Sequence, residues 1–490
     1  MYIRQSGAIA RGATTKGRAG RLPGIGRFCD NRTRKRSSVP KYPNTRVHAV
    51  ERDEHGQDGQ DGQDGQGGQG GHDDATRPAA AAESPQGETK RATEPPPELS
   101  SPTDSPLSPA EIRTLRESVF GLDTFFVQTV DNYGESGVLF KGNIRSGADP
   151  SAVQEKLQAK LKAQMPDYSL FLMVDRDDKP TVVVIRDAAA QVGSSASAEL
   201  LLAVVLGLAT VVTTANVFDA QIFNAALLVA NIDSEKISAS VPGTLAFLGA
   251  MGAHELGHGL AARRHNVELS PPIFLPAGLG LLGSFGSITR IKSIVPNRRT
   301  LSEVIAPGPT AGLSVGLALT MVGLALTKAQ AGGSIELDSA SFQESFLVGG
   351  LASAVLGQEV FTVESVACHP LFIAGWSALI VNAINLIPAG ELDGGKLSLA
   401  TFGRPAAQFV SVMSFIALGV GSFVNGLALF WLLLALTIQR GPGIPCAEEV
   451  SKLEGKDVVR NVLLLLVPAL VLLPFPGMPT PLDQMDFSPF

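Results

Sequence analysis

His254, Glu255 and His258 spell H-E-x-x-H, and those residue types at that spacing point to hydrolysis assisted by a metal ion. On a helix, positions four apart share a face, so both imidazoles point the same way and one Zn²⁺ fits between them. Glu255 beside them is a carboxylate able to take a proton from a water that the ion polarises. The same five letters also occur as a solvated turn of a soluble helix. The flanks separate the two readings: LAFLGAMGA precedes the pattern at 245–253 and GLAA follows it at 259–262. Three ionisable groups in a stretch long enough to span a bilayer need partners, and a metal is the obvious one.

Zinc needs a further protein ligand and an open position for water. The candidate is Asp393, in the string VNAINLIPAGELDGG at 381–395, which ends a second apolar run. The alternative is a helix ending in a Pro/Gly turn, with Asp393 as an ordinary cap. Glu391 is close by, but side chains two apart at a turn diverge, and Asp393 is preferred. His265, in a basic loop, and His369, near a helix start, read as interfacial residues.

The pairing of a membrane-embedded H-E-x-x-H with N-x-x-P followed by L-D-G resembles the site-2 protease family of intramembrane zinc metalloproteases. Four strings are similar to its plastid EGY (ethylene-dependent gravitropism-deficient and yellow-green) branch: GSFGSITRIKSIVP at 283–296, GNIR at 142–145, LFLMV at 170–174 and NAINLIPAG at 382–390. The likeness covers about residues 119–440. It implies one zinc per chain on His254, His258 and Asp393, with Glu255 as general base and then acid toward the leaving amine. It also implies a plastid membrane, thylakoid or inner envelope, and a transmembrane protein as substrate. The family pattern gives Asn385 a part in holding substrate backbone or oxyanion; an interhelical hydrogen bond is the other reading of that residue. GNIR by itself reads equally as a turn closing a strand.

A site of this kind has to be held by an α-helical polytopic fold. Seven runs come near the ~20 residues a membrane helix needs: 198–217, 241–262, 301–327, 371–387, 408–423, and the shorter 427–438 and 462–473. Arg and Lys mark the loops that follow or precede them, at Arg263 and Arg264, Arg290 to Arg299, Lys396 and Arg404, and Arg440. Placing these on one side requires an even number of crossings between neighbouring clusters. The apolar 271–288, broken by prolines and glycines, is therefore read as a re-entrant loop or hairpin whose edge could pair with an extended substrate, and 346–356 as interfacial. The helices bearing the motif and Asp393 then run toward the same basic side, and both ligand sets fall at similar depth.

Composition agrees with a membrane protein carrying a polar appendage: 490 residues, 44% hydrophobic, 18% charged. A net charge of −6 is too small to imply a nucleic-acid partner. Cys29, Cys368 and Cys446 are far apart, odd in number and without C-x-x-C spacing, which argues against a disulfide framework or a cysteine zinc site. The expected domains are a transit peptide at 1–50, a low-complexity linker at 51–108, a small α/β soluble domain at 109–190, the transmembrane protease domain at 198–475 and a tail at 476–490. The basic head is also compatible with a disordered arm for anionic lipid or nucleic acid. Within the soluble domain, 109–132 reads as helical, 137–144 as a strand, 150–165 as a helix capped by Asp149, and 168–174 with 181–185 as a hairpin. A transporter or channel, and a catalytically idle scaffold, are the competing functional classes.

Overall fold

The computed structural model describes residues 107–475, except for 135–136, 176, 188–195, 221–232, 280, 332–334, 424–427, 430, 434–435 and 437–444. The expected transit peptide, nearly all of the linker and the tail lie outside the described residues.

Ser108 opens the first helix, α1 (Pro109–Thr114), with a capping box: its hydroxyl accepts from Glu111 N, and the Glu111 carboxylate accepts from Ser108 N at 2.7 Å. A wider turn at Leu115–Val119 follows, and the helix ends there. The expectation of helix through residue 132 is corrected: Phe125–Tyr133 is strand β1, paired antiparallel with β2 (Gly137–Ile144). Its aromatic and β-branched residues suit a pleated surface, and β2 supplies the partner strand. Asp149 caps α2 (Pro150–Gln164), which turns Val153, Leu157 and Leu161 inward. The hairpin β3 (Tyr168–Val174) and β4 (Pro180–Arg186) completes a sheet of order β1-β2-β4-β3. Phe125, Phe140, Leu157 and Leu161 fill the space between sheet and helices.

The edge strand β3 is not left bare. Leu172 N donates to Ala447 O and Glu449 N donates to Leu172 O, both at 2.8 Å, so residues 447–449 run beside it. The same segment donates from Ala447 N to Val295 O and from Glu448 N to Pro296 O. Beside it, Glu449 accepts two hydrogen bonds from Arg404, at 2.6 and 2.9 Å, while Arg298 is buried against the carbonyls of Ala400 and Thr401. The α/β region thus sits beside the basic residues that flank the helices.

Those helices are α3 (Ala196–Val217), α4 (Ser234–Arg264), α5 (Arg298–Ile305), α6 (Pro307–Lys328), α7 (Phe346–Leu356), α8 (Pro370–Asn385), α9 (Asp393–Phe402), α10 (Arg404–Gly421) and α11 (Lys456–Leu472). Three are long and apolar enough to cross a membrane: Ala196–Val217, Arg298–Lys328 (α5 running into α6) and Arg404–Gly421. These cover three of the seven expected spans. The run at 241–262 lies within α4, long enough at 31 residues but interrupted by its polar motif. The runs at 371–387 and 462–473 lie in helices of 16 and 17 residues, and 427–438 falls largely outside the described residues. At 11 residues α7 is about 16 Å long, too short for a ~30 Å hydrocarbon core.

Helix α8 is the axis of the packing, with every residue from Phe372 to Asn385 buried. It lies close to α6 because both carry glycine at the crossing: a Cβ on Gly375 would press on Thr320, and one on Gly323 would overlap Phe372. Strands β5 (Ile273–Leu279) and β6 (Leu282–Ile288) form an antiparallel hairpin between α3 and α8. Two of its carbonyls accept helix hydroxyls, Gly283 O from Thr213 and Leu281 O from Ser377, each at 2.6 Å. A hairpin in apolar surroundings needs such donors for the carbonyls its own pairing leaves free. The remaining pair, β7 (Ile335–Asp338) and β8 (Ser365–Cys368), lies between α6 and α8 in the chain.

Candidate metal centre

Helix α4 is inverted relative to a helix of a soluble protein. His254 and His258 are 1% and 4% exposed, whereas Leu256 and Leu260 on the other side are 64% and 55% exposed. Polar residues inward and leucines outward are what lipid surroundings favour. Glycine lets α6 reach this face: a Cβ on Gly308 would fall on the His258 imidazole, and one on Gly257 would meet the Pro307 carbonyl.

Asp393 arrives from the other direction. Helix α8 ends at Asn385, the chain turns through Gly390 at φ +51°, and α9 begins at Asp393. A Cβ on Gly394 would strike the Leu386 carbonyl and one on Gly395 the Gly390 carbonyl, so the paired glycines let the first turn of α9 fold back under the end of α8. Leu392, not Asp393, occupies the cap position, which leaves the carboxylate free to face the histidines.

The three side chains converge. His254 Nε2 and His258 Nε2 are 3.0 Å apart, and Asp393 Oδ2 lies 3.2 and 3.3 Å from them. Ligand atoms around a tetrahedral Zn²⁺ with bonds of 2.0–2.1 Å are separated by about 3.3 Å, so this triangle has the size of one face of that tetrahedron. The hydrogen bonds behind the rings fix which nitrogens face inward. His254 Nδ1 is 2.8 Å from Asn382 Oδ1, and the Asn382 amide is oriented by donating from Nδ2 to Ala378 O. His258 Nδ1 is 3.2 Å from Val304 O. Both partners are acceptors, so each Nδ1 carries the proton and each Nε2 presents a lone pair. Two inward-facing Nε2 atoms and a carboxylate oxygen at these distances make a donor set that fits zinc.

Glu255 is not part of the triangle. Its two oxygens accept from Ser287 Oγ at 2.5 Å and Thr289 Oγ1 at 2.7 Å. Asn385 is buried, its Nδ2 has no partner among the described residues, and it lies against Gly286, where a Cβ would come within 2.5 Å of that nitrogen. The other candidates lie elsewhere: His265 pairs with Glu303 at 3.3 Å, His369 caps α8 by accepting from Leu371 N, and Glu391 is exposed. Among the described residues, His254, His258 and Asp393 are the group arranged to hold a metal ion.

Asn382, Ser287 and Thr289 were not singled out by sequence reasoning. Asn382 carried a faint signal, an amide one turn before Asn385 in an apolar helix. The two hydroxyls lie within the string at 283–296 that carries the family likeness, but nothing in that string points them at Glu255.

A pair of histidines on a buried helix face, closed by an aspartate at the start of α9, makes a candidate metal centre enclosed by apolar helices. Residues 242–424 match peptidase family M50, and residues 113–192 match the EGY3 middle domain. A rice (Oryza sativa subsp. indica) protein named "Probable zinc metalloprotease EGY2, chloroplastic" is 38% identical over 386 residues, covering 77% of this chain and 69% of that protein. The Arabidopsis thaliana protein of the same name is 39% identical over 376 residues, covering 76% and 66%. Arabidopsis "Probable zinc metalloprotease EGY1, chloroplastic" is 32% identical over 399 residues, covering 75% and 72%. The chain belongs to peptidase family M50, the site-2 proteases, alongside these EGY proteins. No solved structure matches it.

Proposed function

We propose that His254, His258 and Asp393 hold one Zn²⁺ per chain, that Glu255 is the general base, and that the substrates are transmembrane proteins of plastid membranes. The chain is a site-2-type intramembrane metalloprotease by family. The observation that carries the residue assignment is the 3.0, 3.2 and 3.3 Å triangle of inward-facing acceptors. When bound there, zinc supplies Lewis acidity toward a water and the scissile carbonyl. Glu255 takes a proton from the attacking water as its oxygen bonds to the carbonyl carbon, then passes that proton to the amide nitrogen as the C–N bond breaks. The carboxylate ends as it began, and one water is consumed per bond. Asn385, with an unpartnered buried amide beside Gly286, is assigned to the substrate backbone.

A peptide bond in a membrane helix is shielded by its own hydrogen bonds, so the substrate must unwind and find other partners for its N–H and C=O groups. We assign that part to the hairpin of β5 and β6, read as re-entrant, onto which an extended segment adds as a strand. Proline at Ser284 or Ser287 is an unsuitable probe of this. Ser284 Oγ bonds Leu275 O and Gly286 N, and Ser287 Oγ holds Glu255, so either change would remove a side-chain bond as well as a backbone donor.

The test of the activity is cleavage of a labelled single-span reporter by the full chain in liposomes. Chelation is expected to stop cleavage and added zinc to restore it; cleavage unaffected by chelation would reject the metal's part. The membrane is read as thylakoid or inner envelope, with the basic loops and the α/β region toward the stroma. Protease added to the stromal face of intact membranes is expected to remove residues 109–190. An α/β region protected until lysis would reverse the orientation.

A further inference from the structure

Ser287 is the penultimate residue of β6 and Thr289 lies just beyond it. On extended chain, residues two apart project to the same side, and here both reach one carboxylate. Each Glu255 oxygen accepts one hydroxyl, Oε1 from Ser287 and Oε2 from Thr289. The strand end carrying these hydroxyls is itself tied down. Lys396 Nζ, one turn beyond Asp393 on α9, donates to Thr289 O at 3.4 Å, and Gly286 adopts φ +103° against Asn385 of α8. The end of the hairpin therefore touches α4 and α9, which carry His254, His258 and Asp393, and also α8.

We propose that Ser287 and Thr289 are positioning residues for Glu255, so that the strand, and not helix α4 alone, sets where the carboxylate points. This rests on the reading of Glu255 as general base. A glutamate has three side-chain torsions and, only partly buried, samples several rotamers. Two charge-assisted hydrogen bonds from a pinned strand select one of them. Bonding both oxygens also fixes the carboxylate plane, which a single donor would leave free to turn. A consequence is that the base and the hairpin move together: a segment that shifts β6 on docking shifts Glu255 with it.

The experiment compares Ser287→Ala, Thr289→Val, the double variant and Thr289→Ser in the full chain, with kcat, KM and zinc content measured on the labelled single-span reporter. Valine keeps the shape of threonine and removes only the hydroxyl. Each single variant is expected to lose roughly tenfold in kcat and the double variant on the order of 10²-fold, the scale of a misplaced catalytic group. KM and zinc content are expected to hold, and Thr289→Ser is expected to regain most of the rate that Thr289→Val loses. A double variant with the parent's kcat overturns the proposal. So does a faster one, which would mean that the hydroxyls park Glu255 away from the reaction, and so does a Thr289→Ser variant as slow as Thr289→Val, which would assign the loss to packing. Glu255→Gln in the same assay separates the two readings: if it cleaves normally the general-base assignment fails, whereas if it is inert and the hydroxyl variants are normal only the positioning role fails.

Discussion

Glu255→Gln is expected to lower cleavage of the reporter by about 10²- to 10⁴-fold, the usual contribution of a positioned general base, while zinc content stays at one per chain. Glutamine has the shape of glutamate but cannot take a proton at neutral pH. Because Glu255 stands outside the triangle of His254, His258 and Asp393, its loss leaves all three donors in place. The hydroxyls of Ser287 and Thr289 both donate and accept, so they rotate to suit either the oxygen or the amino group of the glutamine. Zinc analysis and rate measurement on one preparation decide the matter. An inert variant with full zinc supports the role, a fully active one removes it, and one that loses zinc would show that Glu255 holds the metal as well.

The two histidines of the candidate metal centre are legible because their information is local: two residues four apart, on a helix whose flanks are apolar. Asp393 was legible as a candidate because a carboxylate before two glycines is unusual at the end of an apolar run. What holds these groups was not legible, because it comes from contacts between distant parts of the chain. Asn382 meets His254 only because α8 packs beside α4, and Ser287 meets Glu255 only because the hairpin folds between helices. No periodicity within one segment encodes either meeting.

The bundle shows a similar limit. Helix α8 and helix α10 both read as apolar runs, yet α8 is buried on all sides, whereas α10 packs one side on the core through Phe415 and Leu418 and leaves Phe409, Val412 and Ile416 exposed. Hydropathy reports what a helix avoids, water, and does not distinguish protein neighbours from lipid. Composition therefore reads α8, at 16 residues, as an apolar run and says nothing of its place as the packing axis. In the α/β region one expectation is overturned. The expected helix over 109–132 gives way at Phe125, because pairing with β2 along the whole of β1 decides the conformation there. The helix capped by Asp149 was legible because its cap, its proline and its inward stripe all agree.

Alanine at His254, His258 or Asp393 is expected to abolish zinc retention and with it all cleavage, whereas Asn382→Ala is expected to keep the metal but bind it about 10- to 100-fold more weakly. The difference follows from position. Each of the three supplies one corner of the triangle, and removing a corner leaves two donors where a tetrahedral site needs three and an open position. Asn382 supplies no corner. Its oxygen accepts the His254 Nδ1 proton, which keeps the Nε2 lone pair facing inward; without it the imidazole is free to turn or to move its proton to the nitrogen that should bind metal. Asn382→Ala should therefore release zinc faster to a competing chelator while its content before competition stays near one per chain. Full zinc in Asp393→Ala would remove that residue from the ligand set, and an Asn382→Ala variant with unchanged affinity would show that burial alone orients His254.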